Sequence, residues 1–92
     1  MHEDEVAAAV AELPGWQVVD GKLSREFRFA NFIEAIGFID SVAIHAEALN
    51  HHPEWSNVYN RVQVELWTHD VGGISPLDFK LAHKMNELTR HA

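Results

Sequence analysis

The chain has 92 residues, with fourteen acidic and seven basic side chains, and its formal net charge at pH 7 is −7. This length predicts a single domain over residues 1–92, and the acidic balance argues against direct binding to nucleic acid, because phosphate backbones would be repelled. Cysteine is absent, which excludes a disulfide framework and fits a cytoplasmic protein, and no apolar run or secretory signal indicates a contact with a membrane.

The first third of the chain predicts a short helix followed by a β-hairpin. Apolar residues at helical spacing indicate a helix over residues 4–13, which Pro14-Gly15 ends. Two strands, at 16–19 and 23–29, flank Asp20-Gly21. This dipeptide is typical of a type I′ turn, so the two strands are expected to pair directly.

A long second helix is predicted to begin at Asn31. This residue precedes Glu34 by three positions, the spacing of a capping box, and the apolar pattern continues to about Asn50. Apolar side chains, among them Phe32 and Ile44, extend around more of this helix than one sheet can cover. We therefore expect its excess apolar face to contact another subunit or a protein partner.

The remainder of the chain predicts two further strands and a last helix. Residues 58–59 and 62–68 alternate as strands do, and Ser75-Pro76 followed by Asp78 is a strong helix start. The buried stripe of this helix is predicted to be Leu77, Leu81, Met85 and Leu88. The order αββαββα predicts an α+β fold, in which a four-stranded antiparallel sheet has its helices packed on one face.

Three histidines fall at the ends of predicted elements, where a rigid scaffold presents side chains to a cleft. His51 and His52 follow the long helix, and His69 follows the last strand. Histidine changes charge near neutral pH, so these residues are candidates for proton transfer. Glu47 lies one helical turn before His51, close enough to orient it, and Trp55 offers a flat apolar wall to a planar ring.

Plainer interpretations exist for the same residues. A histidine is often a surface or capping residue, Asp78 could simply stabilise the first turn of a helix, and Trp55 could belong to the core. A metal site is a sharper alternative, since imidazole is a common ligand. However, adjacent histidines rarely bind one ion together, and no cysteine completes a ligand set, so the sequence disfavours a metal.

The run from His51 to Tyr59 reads HHPEWSNVY and carries the motif HHP-x-W-x-N-x-Y. Together with Thr68-His69, Gly73 and residues 75–78, it closely resembles the pterin-4a-carbinolamine dehydratases. The agreement extends upstream to Gly15-Trp16 and to the end of the long helix. The resemblance therefore covers nearly the whole chain.

This resemblance implies a four-stranded antiparallel sheet with helices on one face, assembled into dimers or tetramers. It implies an enzyme that removes water from 4a-hydroxytetrahydropterin and returns quinonoid dihydropterin, which recycles the pterin of aromatic amino acid hydroxylases without a metal or other cofactor. By motif position, the catalytic residues would be His51 and His69 as an acid/base pair and His52 as a pterin-binding group. Three further residues match family positions around the substrate: Glu47, Trp55 and Asp78.

A non-catalytic binding or assembly module on the same fold is the alternative function. Animal members of the family also stabilise dimers of a homeodomain transcription factor, and relatives with eroded histidines assist the assembly of other enzymes. The intact set of His51, His52 and His69 favours the enzyme, because a pure scaffold has no need of all three. A second role could coexist through the apolar surface of the long helix.

Overall fold

The computed structural model describes residues 1–90, which form one four-stranded sheet and three α-helices. The elements are α1 (Glu3–Ala11), β1 (Gln17–Val19), β2 (Lys22–Arg28), α2 (Phe32–Leu49), β3 (Glu54–Val58), β4 (Arg61–Leu66) and α3 (Pro76–Thr89). The 3₁₀ turn His69–Val71 lies between β4 and α3. The predicted α+β fold and the order αββαββα are confirmed.

All strand pairs in the sheet are antiparallel, and the strand order is β1-β2-β4-β3. Helix α2 therefore connects two strands that are not neighbours, which places its C-terminal end beside the start of the outer strand β3. Side chains alternate between the two faces along each strand. On β4 this alternation buries Val62, Val64 and Leu66, as the sequence predicts, and turns Gln63 and Glu65 to the other face.

The core lies between this buried face and the helices. Fully enclosed side chains come from the sheet and from helices α2 and α3, among them Leu23, Val42, Val62, Val64, Leu66, Leu81 and Met85. Phe27 and Phe38 pack with ring centroids 4.7 Å apart, joining β2 to α2. The indole N–H of Trp16 donates to Asn86 Oδ1 at 2.8 Å, which ties the segment before β1 to α3. Within residues 1–90, none of the helices has the length and apolar character needed to span a membrane.

One of the predicted local signals is confirmed in full and a second one in part. Asp20 and Gly21 have φ angles of +52° and +77°, as a type I′ turn requires of both central residues. The side chain of Asn31 accepts the backbone N–H of Glu34 at 2.9 Å and caps α2. The second bond of the capping box, from the backbone back to the Glu34 side chain, differs from the prediction. The Glu34 carboxylate accepts the N–H of Ala30, at 3.5 Å, one residue before the cap.

Strand β3 begins earlier than predicted and ends before Tyr59. Tyr59 has φ +53° and lies in the turn between β3 and β4. The side-chain amide of Asn57 explains this boundary, since it donates to the carbonyls of Tyr59, at 3.1 Å, and Arg61, at 2.9 Å. Asn57 thereby holds both sides of the turn, which is the plain structural role that its residue type allows.

The buried stripe of α3 is rotated from the predicted one. Leu81 and Met85 are fully buried, but Leu77 and Leu88 are 39% and 38% exposed, so their assignment to the stripe was wrong. The inward positions of the first turn belong to Asp78 and its neighbour Phe79. A capping box and a buried side-chain partner hold Asp78 inward, and this polar arrangement sets the rotation of the helix.

Candidate active site

The end of α2 directs His51 into the protein. Asn50 adopts the left-handed conformation, at φ +51°, which asparagine tolerates better than most residues. The N–H of His51 then bonds the carbonyl of Ala46 at 3.0 Å, and the N–H of Asn50 bonds that of Glu47 at 3.1 Å. These two bonds form a Schellman motif, so the chain reverses at Asn50 and His51 packs back over the helix end.

His51 meets Asp78 across 27 residues of chain. Its Nε2 lies against Asp78 Oδ1, while Asp78 Oδ2 accepts the backbone N–H of Ser75 at 2.8 Å and the hydroxyl of Thr68 at 2.9 Å. His51 is 8% exposed and Asp78 is not exposed at all. Asp78 is therefore both the cap of α3 and the hydrogen-bond partner of a buried imidazole.

This contact assigns different roles to the two nitrogens of His51. A carboxylate only accepts hydrogen bonds, so the nitrogen facing Asp78, Nε2, carries a proton and donates it. The other nitrogen, Nδ1, is then free of a proton in the neutral ring and can take one up. The His51 side chain keeps 10% of its surface exposed, and the arrangement can therefore support acid/base chemistry at that opening.

His52 points away from this buried pair and bonds to Glu47. Its Nε2 lies 2.8 Å from Glu47 Oε1, and the two side chains are 59% and 82% exposed. The prediction that Glu47 orients His51 is therefore wrong. The reversal at Asn50 turns His51 inward and leaves His52 on the outside of the helix end. A contact between two side chains this exposed contributes little to stability, about 0–1 kcal/mol.

His69 opens the 3₁₀ turn that follows β4 and is exposed. Thr68, just before it, forms an isolated bridge with Gly73, in which the Thr68 N–H donates to the Gly73 carbonyl at 2.7 Å. This bridge closes the loop that carries His69. Because the Thr68 hydroxyl also bonds Asp78, one carboxylate holds His51 directly and anchors the start of the His69 loop.

Trp67, Glu54 and Lys22 form a cluster beside His69 on the sheet face opposite the core. The Trp67 and His69 rings have centroids 5.0 Å apart at an interplanar angle of 59°. Trp67 Nε1 donates to Glu54 Oε1 at 2.5 Å, and Lys22 Nζ lies 3.4 Å from Glu54 Oε2. The hydrogen bond from Trp67, followed by the charge of Lys22, holds the pKa of Glu54 below its ordinary value.

The predicted site residues thus fall into three local arrangements. His51 bonds Asp78, His52 bonds Glu47, and His69 packs on Trp67, which the sequence did not single out. The sixth predicted residue, Trp55, is half-buried on β3 opposite Val64 and packs against the core. Across residues 1–90, no three His, Cys, Asp or Glu side chains are grouped closely enough to hold a metal ion.

Thr68, Ser75, Glu54 and Trp67 were not predicted as site residues. The spacing from Ser75 to Asp78 indicates a helix cap, and this signal is confirmed by the capping box. No local pattern, however, indicates that the same carboxylate faces a histidine 27 residues earlier in the chain. Contacts of this kind depend on tertiary packing.

Comparison with known proteins shows which proteins this chain resembles. The family model described as pterin 4 alpha carbinolamine dehydratase matches residues 1–88. A Solibacter usitatus protein named "Putative pterin-4-alpha-carbinolamine dehydratase" is 53% identical over 88 residues, covering 96% of this chain and 93% of that protein. A Rhizobium etli protein with the same name is 56% identical over 84 residues, covering 89% of this chain and 83% of its own length.

A solved structure has the same fold. The crystal structure of a protein described as a transcriptional coactivator/pterin dehydratase from Brucella melitensis superposes with a TM-score of 0.93. The two sequences are 48% identical, and the match covers 96% of each chain.

Proposed function

The chain belongs to the pterin-4a-carbinolamine dehydratase family, and on that premise we propose that it removes water from 4a-hydroxytetrahydropterin to give quinonoid dihydropterin. This reaction returns the pterin used by aromatic amino acid hydroxylases to a reducible form. The observation that carries the proposal is the buried His51–Asp78 pair, which leaves one imidazole nitrogen available for proton transfer. The names of the relatives support a dehydratase that acts on a small pterin.

The reaction needs one proton delivered and one removed. As the bond from C4a to the hydroxyl oxygen breaks, a proton added to that oxygen lets it leave as water, and the lone pair of the adjacent ring nitrogen forms the C=N bond. That nitrogen then loses its own proton, so the net charge of the ring is unchanged. We assign these two transfers to His51 and His69, each of which would contribute about 10²–10⁴-fold to the rate.

The other predicted residues would bind or position the substrate. His52 and Glu47 form an exposed polar pair next to His51 and are proposed to contact the polar edge of the pterin. Trp55 is proposed to contribute its exposed edge as an apolar wall. Asp78 has no exposed surface, so we assign it the orientation of His51 instead of the direct substrate contact that the sequence predicts.

The proposal is tested by stopped-flow absorbance with chemically generated 4a-hydroxytetrahydropterin. The wild-type protein is expected to accelerate dehydration above the spontaneous rate, which is subtracted. A His83→Ala variant, which removes an exposed histidine of α3, is expected to retain the full rate. Exhaustive treatment with a chelator is expected to leave the rate unchanged. A folded wild type that gives no acceleration would refute the dehydratase and direct attention to the non-catalytic binding module.

The exposed face of α2 supports a further part of the proposal, that the protein works as a homo-oligomer, a dimer or a tetramer. Ile33 and Ile44 are 81% and 71% exposed, and Phe32 at the start of the helix is 49% exposed. Ile33, Gly37 and Ile44 share one face, where the missing side chain of Gly37 allows close approach of another helix. The alternative occupant of this face is a partner protein.

A cytoplasmic location stays a prediction from the sequence.

Replacing Ile44 with glutamate is expected to reduce the oligomer to a smaller species. A charge at the centre of an apolar contact would lose its hydration on association, which costs several kcal/mol, about the amount that a modest helix contact supplies. Size-exclusion chromatography with light scattering measures the change. Val71→Glu, at a similarly exposed apolar position outside α2, serves as the matched control. An unchanged mass in Ile44→Glu would place the subunit contact elsewhere.

A further inference from the structure

A polar and aromatic cluster on the open face of the sheet holds His69 from one side. It consists of Lys22, Glu54 and Trp67, contributed by the start of β2, the start of β3 and the residue after β4. We propose that Trp67 is a positioning residue, which fixes the imidazole of His69 for proton transfer through ring contact and is itself fixed by Glu54. This inference rests on the proposed dehydratase function, in which His69 is one of the two proton-transfer groups.

The need for such a residue follows from the location of His69. It opens a three-residue 3₁₀ turn and is exposed, so the main-chain fold alone leaves its ring several rotamers. The buried counterpart, His51, has a carboxylate that fixes both its ring plane and its tautomer. The Trp67 ring, 5.0 Å from the His69 ring, is the contact that restricts His69 in a comparable way.

Trp67 can restrict His69 only if its own ring is held. The indole N–H donates to Glu54 Oε1 at 2.5 Å, which fixes the ring edge. Lys22 Nζ lies 5.1 Å from the Trp67 ring centroid and 3.4 Å from Glu54 Oε2, so one ammonium contacts both members of the pair. The strands that supply Lys22 and Glu54 flank β4, and the anchor is therefore part of the sheet.

Charged side chains lie around the Trp67 ring. Lys22 is paired with Glu54, so the two charges next to the ring balance each other. Asp70, the next residue in the 3₁₀ turn, adds a second exposed carboxylate. The Trp67 hydrogen bond holds the pKa of Glu54 below its ordinary value, which favours the charged carboxylate that accepts this bond.

The experiment compares Trp67→Ala and Trp67→Phe with the wild type. Trp67→Ala removes the contact with the His69 ring. We expect kcat for dehydration to fall about tenfold with KM little changed, because the variant loses the orientation of His69 but keeps the binding of the substrate. Trp67→Phe keeps an aromatic ring without the N–H that bonds Glu54. We expect this variant to retain part of the kcat that Trp67→Ala loses. Tyr59→Asn removes an exposed aromatic ring at the opposite end of the β3–β4 hairpin and is the matched control.

Proton NMR of the His69 ring supplies a readout that does not depend on activity. In the wild type, the indole ring current is expected to displace the His69 ring resonances, and Trp67→Ala is expected to remove this displacement. If the wild type is active and Trp67→Ala leaves both kcat and the His69 resonances unchanged, the positioning role is wrong while the dehydratase stands. If the wild type itself does not accelerate dehydration, the proposed function fails, and the positioning role fails with it.

Discussion

Changing Asp78 to asparagine is expected to lower the catalysed rate of dehydration by about 10²–10⁴-fold. The carboxylate accepts a hydrogen bond from His51 Nε2, and an amide of the same shape presents a donor or an acceptor according to its flip. Ser75 and Thr68 already donate to one oxygen, so the amide oxygen satisfies them and the NH₂ group faces His51. His51 must then hold its proton on Nδ1, the nitrogen that the reaction needs free.

The same change is expected to lower the free energy of unfolding by about 1–3 kcal/mol, because charge-assisted hydrogen bonds in a buried site become neutral ones. Thermal or urea unfolding followed by circular dichroism measures this loss. Asp20→Asn, in the exposed first hairpin turn, is the matched control, since asparagine also adopts positive φ there. An Asp78→Asn protein that is folded and retains full activity would show that the tautomer of His51 does not matter.

The second large effect is expected from His51→Ala, which should lower the catalysed rate by about 10²–10⁴-fold while KM changes less. The loss arises because His51 supplies the ring nitrogen that bonds the buried carboxylate of Asp78, and alanine leaves no protonatable group at this position. His83→Ala, which removes an exposed histidine from α3, is the control for histidine loss in general. Stopped-flow rates across a pH series separate the loss of a proton-transfer group from a loss of binding.

A double-mutant cycle connects the two effects. If Asp78 acts only through His51, the double variant His51→Ala/Asp78→Asn should be no slower than His51→Ala alone. Residues that act as one unit are strongly non-additive, whereas independent contributions would multiply. Multiplied losses in the double variant would mean that Asp78 contacts the substrate itself, as the sequence resemblance implies, and that its assignment as a positioning residue is mistaken.

Much of the fold could be predicted because its signals are local. Asp20-Gly21 selects its turn through the φ angles it allows, and Asn31 caps α2 through an oxygen three residues from its partner. The alternation of Val62, Val64 and Leu66 fixes which face of β4 is buried. Each of these choices depends on neighbours within a few positions, and the structure confirms all three.

The pairing of the site residues could not be predicted in the same way. Glu47 has suitable helical spacing for His51, yet the left-handed Asn50 turns His51 out of reach and brings His52 into its place. From the sequence, Asp78 could simply stabilise the first turn of a helix, but it is fully buried against His51. In both cases a backbone reversal or a tertiary contact overrides the spacing, and neither has a local signature.

Trp67 shows a second reason why site residues escape prediction. Its position at the end of a strand suggests an ordinary surface aromatic residue. His69, two residues later, is the more obvious candidate for a functional role because its side chain can transfer protons. Only the strand order β1-β2-β4-β3 brings Lys22 of β2 and Glu54 of β3 to either side of the β4 end. The cluster depends on sheet topology, which the sequence predicts only in its element order.

The double use of Asp78 has a consequence for local unfolding. Its Oδ2 atom closes the capping box of α3 with Ser75, and its Oδ1 atom holds His51. Any fluctuation that frays the first turn of α3 therefore releases the imidazole at the same moment, so the two events belong to one cooperative unit. Amide exchange at Ser75 reports the opening of a helix end, whereas the lifetime of the reactive conformation is a property of the His51 side chain. Both would then depend on the same opening equilibrium.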